Sequence, residues 1–327
     1  MTRIGRCKSL SNNTLLPSLM DAPQRSLRVG LLFCSPWLIG GALLVLWPFA
    51  ASFYWSFCEY DLLSKPRFVG AVHYRRLVSE LAAGEGFGLA LWNTAYYALF
   101  SVPASIALGV GLALMLQWRV RGRAFLRALV FLPSVVPIVA ASVLWMWMLD
   151  PNDGVVNYLL SWIYIPEQSW FNGRGEALLG GGFGSKDALV LMALWGVGNY
   201  VIIYLAALND VPQHLYEAAE IDGANRWASF RHVTAPMLTP VIFFNLVMGL
   251  IQSVQAFTQV YVVSAGRGEP QGSTLVLSLH LFLSAFQDLD MGYASAMAWL
   301  LFVVLLVVTI ALFRSARHWV HYQGALR

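Results

Sequence analysis

Six apolar runs, Val29 to Phe57, Leu89 to Leu116, Ala128 to Leu149, Ala188 to Leu208, Met237 to Val263 and Gly292 to Phe313, are each long enough to cross a bilayer as a helix, which takes roughly 20 residues. In hydrocarbon a backbone must satisfy its own N–H and C=O groups, so runs of this length can only be helices there. Composition agrees: 58% of the 327 residues are hydrophobic and 12% are charged, a balance foreign to soluble domains. The predicted fold class is all-α, a polytopic membrane protein with six transmembrane helices. The first run follows Arg25 and Arg28 but is too long for a signal-peptide core and lacks a small-residue cleavage site, so it reads as an uncleaved anchor.

Charge sets the expected orientation. Lys65, Arg67, Arg75, Arg76, Arg174, Lys186 and Arg267 lie in the segments 58 to 88, 150 to 187 and 264 to 291, together with twelve of the 17 acidic residues. The other fourteen of the 21 basic residues fall in the alternate segments and the two ends. The positive-inside rule then puts both termini in the cytoplasm. The expected division is a cytoplasmic segment 1–28, a six-span domain 29–313 with a cytoplasmic loop 209–236, and a cytoplasmic tail 314–327. Cys7, Cys34 and Cys58 fall in three compartments, so no internal disulfide is expected. Without a basic stripe on a soluble face, no nucleic acid is expected as a partner.

Two patterns resemble catalytic motifs and fail as such. In Gly180 to Asp187, GGGFGSKD, Ser185 stands where a phosphate loop needs its second Gly, and Asp187 follows the Lys. Asp288-Leu289-Asp290 could pair carboxylates around a metal, but it reads as an acidic flank of the last span. The six histidines show no metal-ligand spacing. No enzyme, metal site or cofactor is expected. The spans lack ionisable residues apart from their ends, and ion-coupled carriers usually need such groups. With no ATP motif of its own, an energised version needs a partner protein.

One polar stretch is set between two spans: LYEAAEIDGANRWASFRHVTAPMLTP, Leu215 to Pro240. Pro212 suits a first helical turn. Good helix formers run from Gln213 to Ile221, and Gly223 suits the left-handed position past a helix end. A second short helix, Ala224 to Val233, would carry Trp227, Phe230 and Thr234 on one face. Pro236 and Pro240 would mark the re-entry into the membrane. The first helix has three acids and no Lys or Arg, whereas a helix lying on a membrane surface favours basic residues. That composition points to a protein partner.

Glu217, Ala218, Ala219, Asp222, Gly223, Ala224, Phe230, Pro236 and Pro240 follow in the order and spacing of the EAA loop, and the chain resembles the permeases of binding-protein-dependent ABC importers, in particular their carbohydrate-uptake branch. Phe68-Val69-Gly70 with Tyr74 and Leu77, Asn93-Thr94, Phe131-Leu132-Pro133 and Gly292-Tyr293-Ala294 with Ala296 resemble further family segments. His73 stands where the family usually has Asn, Ala235 where Leu commonly precedes the Pro, and Ser264 to Pro270 replaces T-x-G-G-P.

The resemblance implies a permease subunit in a bacterial inner membrane, paired with a second permease. Two copies of an ABC ATPase, which bind the ATP, would take the EAA helix in a cleft, and an extracytoplasmic sugar-binding protein would deliver a sugar or polyol for alternating access. The alternatives are an ATP-independent channel or carrier, or a membrane enzyme acting on lipid-linked sugars. In relatives the spans flanking the loop line the pathway. Here Trp195 and Asn199 are four apart, and Gln252, Gln255 and Gln259 form a stripe. Amides bond sugar hydroxyls and aromatic rings cover pyranose faces, so Trp195, Asn199, Gln252, Ser253 and Gln255 are the expected pathway residues.

Overall fold

The computed structural model describes residues 22–117, 122–171 and 184–321, with side chains from residue 29 onward. Arg3, Arg6, Lys8, Cys7, Arg119, Arg121, Arg174, Gly180 to Phe183 and Arg327, and the parts of the expected terminal segments before 22 and after 321, lie outside the described residues. The chain divides into two compact units, Met1–Tyr54 and Trp55–Arg327.

In the first unit, α1 (Ala22–Gly41) passes through a π-helical turn, Ala42–Leu46, into α2 (Trp47–Trp55). Its large apolar side chains, Phe33, Trp37 and Leu44 among them, are exposed, as a helix built for lipid or for a partner requires. Pro36 has no N–H for the carbonyl of Leu32, and the Ser35 hydroxyl donates to that carbonyl instead, at 2.7 Å.

The second unit is built around α4 (Phe87–Gln117), preceded by the short antiparallel pair β1 (Cys58–Glu59) and β2 (Arg67–Phe68) and by α3 (Val72–Ala83). The next expected span is broken. α5 (Arg123–Val135) and α6 (Ile138–Met148) meet at 99°, because Val136 and Pro137 are extended (ψ 129° and 134°) and a residue preceding proline is pushed out of the helical region. After α7 (Val155–Ser161), the fourth expected span also breaks, by 45°, between α8 (Ser185–Trp195) and α9 (Gly198–Asn209). A Cβ on Gly198 would stand 2.8 Å from the Val130 carbonyl oxygen. The glycine lets α5 lie directly on this break.

Then come α10 (Gln213–Ile221), α11 (Arg226–Ser229), a π-helical turn Phe230–Thr234, α12 (Ala235–Val254), α13 (Thr258–Val263), α14 (Leu277–Phe286) and α15 (Met291–Trp319). Among the described residues, four helices are long and apolar enough to cross a membrane, up to six if each bent pair is one span. Two expectations need correction. Arg226 to Val254 is one uninterrupted helical path, so the second short helix does not end at Val233, and Pro236 and Pro240 lie inside the path. Pro240 leaves the Pro236 carbonyl free, and the Thr239 hydroxyl takes it at 2.6 Å, the device already used at Pro36. The expected outer loop 264–291 also contains α14, ten residues that are apolar but too short to span.

The core forms where α4 meets α8, α9 and α12. Leu116, Val201, Tyr204, Leu208 and Leu238 fill one cluster, and Gly109 lets Tyr200 and Tyr204 come within 3.0–3.3 Å of where a Cβ would be. At one end of the unit Gln117 bonds the Leu208 carbonyl (3.5 Å) and the His321 N–H bonds Thr239 (2.9 Å). This gathers the close of α4, α9 and α15 beside the start of α12.

Candidate coupling loop and substrate cavity

The loop between α9 and α12 is closed by its own backbone. Pro212 sits just before α10 with extended geometry (ψ 129°) rather than within its first turn. Past Ile221, the Gly223 N–H bonds the Glu220 carbonyl at 3.0 Å and the Ala224 N–H bonds the Ala219 carbonyl at 2.9 Å, the two bonds of a Schellman closure. Gly223 has φ +80° with open space where a Cβ would be, so only the backbone demands glycine here. Asn225 then caps α11, its side-chain oxygen accepting from the Ala228 N–H at 2.8 Å, which starts the second helix two residues later than expected. A hydrogen bond of 3.0 Å between the Tyr216 and Thr234 hydroxyls ties α10 to the π-turn.

This closure presents an open surface. Glu217, Ala218 and Asp222 are exposed, and among the described residues no ion pair involves Glu217, Glu220 or Asp222. Ile221 is 86% exposed and Trp227 68%, the latter tilted against Phe230 with ring centroids 5.6 Å apart. Ala219, Ala224, Phe230 and Pro236 are less open than these two.

A cavity of about 560 Å³ opens among α4, α9, α12 and α13. Asn199, Gln252, Ser253 and Gln255 line it, as does Gln259. Trp195 does not. It lines an adjoining chamber of about 250 Å³ with Pro133 and Trp145, its ring edge-on to Trp145 at 6.1 Å. Asn199 and Gln259 border both spaces. Two expected alignments are corrected. The bend at Gly196 separates Trp195 from Asn199, so they are not on one helix face. Likewise Gln255 ends α12 and Gln259 belongs to α13, so the glutamine stripe is split.

Reading only the spans beside the loop misses the opposite wall, where Tyr97, Ser101 and Ser105 of α4 line the same cavity. Their i, i+4, i+8 spacing is the available signal. Tyr200 and Asn245 join them, and Gly249 makes room for the Tyr200 hydroxyl, which would stand 2.7 Å from a Cβ there. None of the described lining residues is charged.

The other end of the unit is cross-bonded. Asn93 donates to the carbonyls of Gly272 (2.8 Å) and Leu275 (2.9 Å), and the Thr94 hydroxyl accepts from the Leu277 N–H (2.9 Å). These bonds pin the segment before α14 to α4. Arg76 bonds Glu80 (2.9 Å) and Asp290 (3.2 Å) and lies over the Tyr293 ring at 3.9 Å. Glu80 also accepts from the Tyr293 hydroxyl and the Phe87 N–H. Burial would raise the Glu80 carboxyl, but these donors and Arg76 outweigh it and hold the group below the usual carboxylate range. His73 bonds the Cys58 carbonyl at 3.0 Å, and a Cβ on Gly292 would stand 2.1 Å from that same oxygen.

The comparisons with known proteins agree with this construction. The chain is 37% identical over 297 residues to the protein named probable ABC transporter permease protein YesP of Bacillus subtilis (strain 168), covering 90% of this chain and 92% of that one. It is 30% identical over 296 residues to the trehalose/maltose transport system permease protein MalF of Thermococcus litoralis, covering 90% and 95%. Its fold matches a chain of the crystal structure of a bacterial ABC transporter involved in the import of alginate, an acidic polysaccharide, with TM-score 0.73 and 24% identity over 91% of this chain and 97% of that chain. Residues 105–320 match the family model for the binding-protein-dependent transport system inner membrane component, and the chain belongs to that family.

Proposed function

We propose that the chain is the transmembrane permease subunit of an ATP-driven importer that passes a sugar, polyol or oligosaccharide into the cytoplasm by alternating access. The observation that carries this is the cavity of about 560 Å³ walled by amides and hydroxyls, which suits a ligand made of hydroxyl groups. A relative named for trehalose and maltose transport supports the same reading. Asn199, Gln252, Ser253 and Gln255 are its contact residues in this chain. Tyr97, Ser101 and Ser105 face them from α4, and Trp195 closes the neighbouring chamber.

Glu217, Ala218, Ala219, Asp222, Gly223, Ala224, Phe230 and Pro236 form the docking element for an ATPase present in two copies, which binds and hydrolyses the ATP. A second permease completes the pathway, and an extracytoplasmic sugar-binding protein loads it. The arginine-rich segments and both termini lie on the cytoplasmic side. α10 then moves with the ATPase and carries α12, one wall of the cavity.

The test is purification in mild detergent followed by reconstitution. A Walker-motif ATPase should co-purify, and its activity should rise with the binding protein. In Gln252→Ala and Asn199→Ala, transported sugar should fall at unchanged expression. Unchanged uptake and sugar preference in both variants would remove the cavity from the pathway.

A further inference from the structure

We propose that the groove between α5 and α9, at the arginine-rich end of the unit, is a binding site for the phosphodiester headgroup of an anionic phospholipid, with an acyl chain laid along its apolar wall. The groove encloses about 440 Å³, and Leu116, Phe131, Val201, Ile202, Leu205 and Ala206 form its wall. Arg127 is the one charged residue among the described lining residues, with the Asn209 amide nearby.

The arginine is not satisfied by the protein. Arg127 Nε and Nη2 are buried without a hydrogen-bond partner, and so is Nε of Arg123 one turn earlier. Buried donors left unpaired are costly, and a guanidinium can aim several of them at one oxyanion in the geometry a phosphate presents. Among the described residues the three ion pairs lie elsewhere, so no carboxylate supplies that acceptor.

The wall decides what kind of anion fits. It is almost wholly apolar and belongs to helices long and apolar enough to form bent spans. An acyl chain is satisfied there, whereas an acidic peptide would leave its backbone N–H and C=O groups unpaired along it. Basic pockets between spans on the cytoplasmic side are a physical setting for anionic lipid heads. A free phosphate would use the guanidinium but not the wall.

The experiment uses the full chain in a mild neutral detergent, with bound lipid counted by native mass spectrometry. Phosphatidylglycerol and phosphatidylcholine with identical acyl chains are compared in wild type, Arg127→Gln and Ala206→Trp. Wild type should prefer phosphatidylglycerol by at least about tenfold. Arg127→Gln should bring the two lipids near parity, and Ala206→Trp, which fills the groove and spares the arginine, should lower the binding of phosphatidylglycerol. Inorganic phosphate should not displace it.

Equal retention of the two lipids by wild type would overturn the proposal, as would an undiminished preference in Arg127→Gln. Displacement by inorganic phosphate would make this a free-anion site instead. Loss of the co-purifying ATPase in Arg127→Gln with lipid preference intact would assign the arginine to a protein partner. If Arg127→Gln fails to fold, the Ala206→Trp arm decides: unaltered phosphatidylglycerol binding there overturns the groove.

Discussion

The two polar ends of the second unit use similar residue types to opposite effect. Around α3 and the start of α15, Arg76, Glu80, Asp290 and Tyr293 are bonded to one another, and Asn93 and Thr94 are spent on the backbone of the segment before α14. Around α10, Glu217, Glu220 and Asp222 stand with no ion pair among the described residues, beside the bare side chains of Ile221 and Trp227. The first arrangement holds one conformation of one chain. The second leaves its charge and its apolar surface exposed, as the proposed docking of an ATPase there requires. Substitutions should therefore separate stability from transport according to the end they touch.

The largest loss of stability is expected for Gly292→Val. Its new side chain meets the Cys58 carbonyl and the His73 ring at distances no rotamer relieves, so the backbone must move, at about 3 kcal/mol or more. Thermal unfolding in detergent and the yield of monodisperse protein would show it.

Glu80→Gln should cost less, about 1 to 2 kcal/mol, because it keeps the shape but gives up charge-assisted bonds to a partly open network. It should also flatten the acid limb of stability. The folded Glu80 carboxyl titrates below its unfolded value, so its contribution is full above that value and is lost as pH falls through the folded one. Wild type should lose stability below about pH 4.5 more steeply than the variant, as unfolding scanned from pH 7 to pH 3 would reveal.

At the other end the order of effects reverses. Gly223→Val meets no clash, since its surroundings are open, and it should cost only about 1 to 2 kcal/mol for a β-branched residue at positive φ. Yet it opens the Schellman closure and misaims α10, so uptake should be abolished. Glu217→Ala should change stability by no more than about 0.5 kcal/mol while lowering uptake and loosening ATPase retention. A wild-type uptake rate in Glu217→Ala would erase the contrast between the two ends.

Much of this architecture is legible in the sequence, and its failures have physical causes. The apolar runs locate the spans because lipid admits little else, and the order of Gly223 after Ile221 announces the closure of α10. The 99° bend escapes a reading by hydropathy although Pro133 and Pro137 stand four apart, because the apolar run continues across them and proline alone does not distinguish a tolerated kink from a break. Pro236 and Pro240 show the other outcome, where a neighbouring threonine hydroxyl takes up a freed carbonyl and the helix continues. α14 escapes notice because ten residues are too few to span. In the cavity, the residues next to the loop are visible as polar punctuation in apolar helices. Trp195 falls on the wrong wall when a helical spacing is carried across Gly196, and Tyr97, Ser101 and Ser105 are easily overlooked because α4 is far from the loop in sequence.

Whether the loop couples ATP hydrolysis to transport is decided by binding-protein-stimulated ATP hydrolysis in the assembled transporter, compared between wild type and Gly223→Val at matched amounts of folded permease. Stimulation should disappear in the variant while the permease still folds, its unfolding temperature lowered by only a few degrees, in line with a cost of about 1 to 2 kcal/mol. Stimulation equal to wild type, with α10 misaimed by the substitution, would contradict it and make the loop a connector.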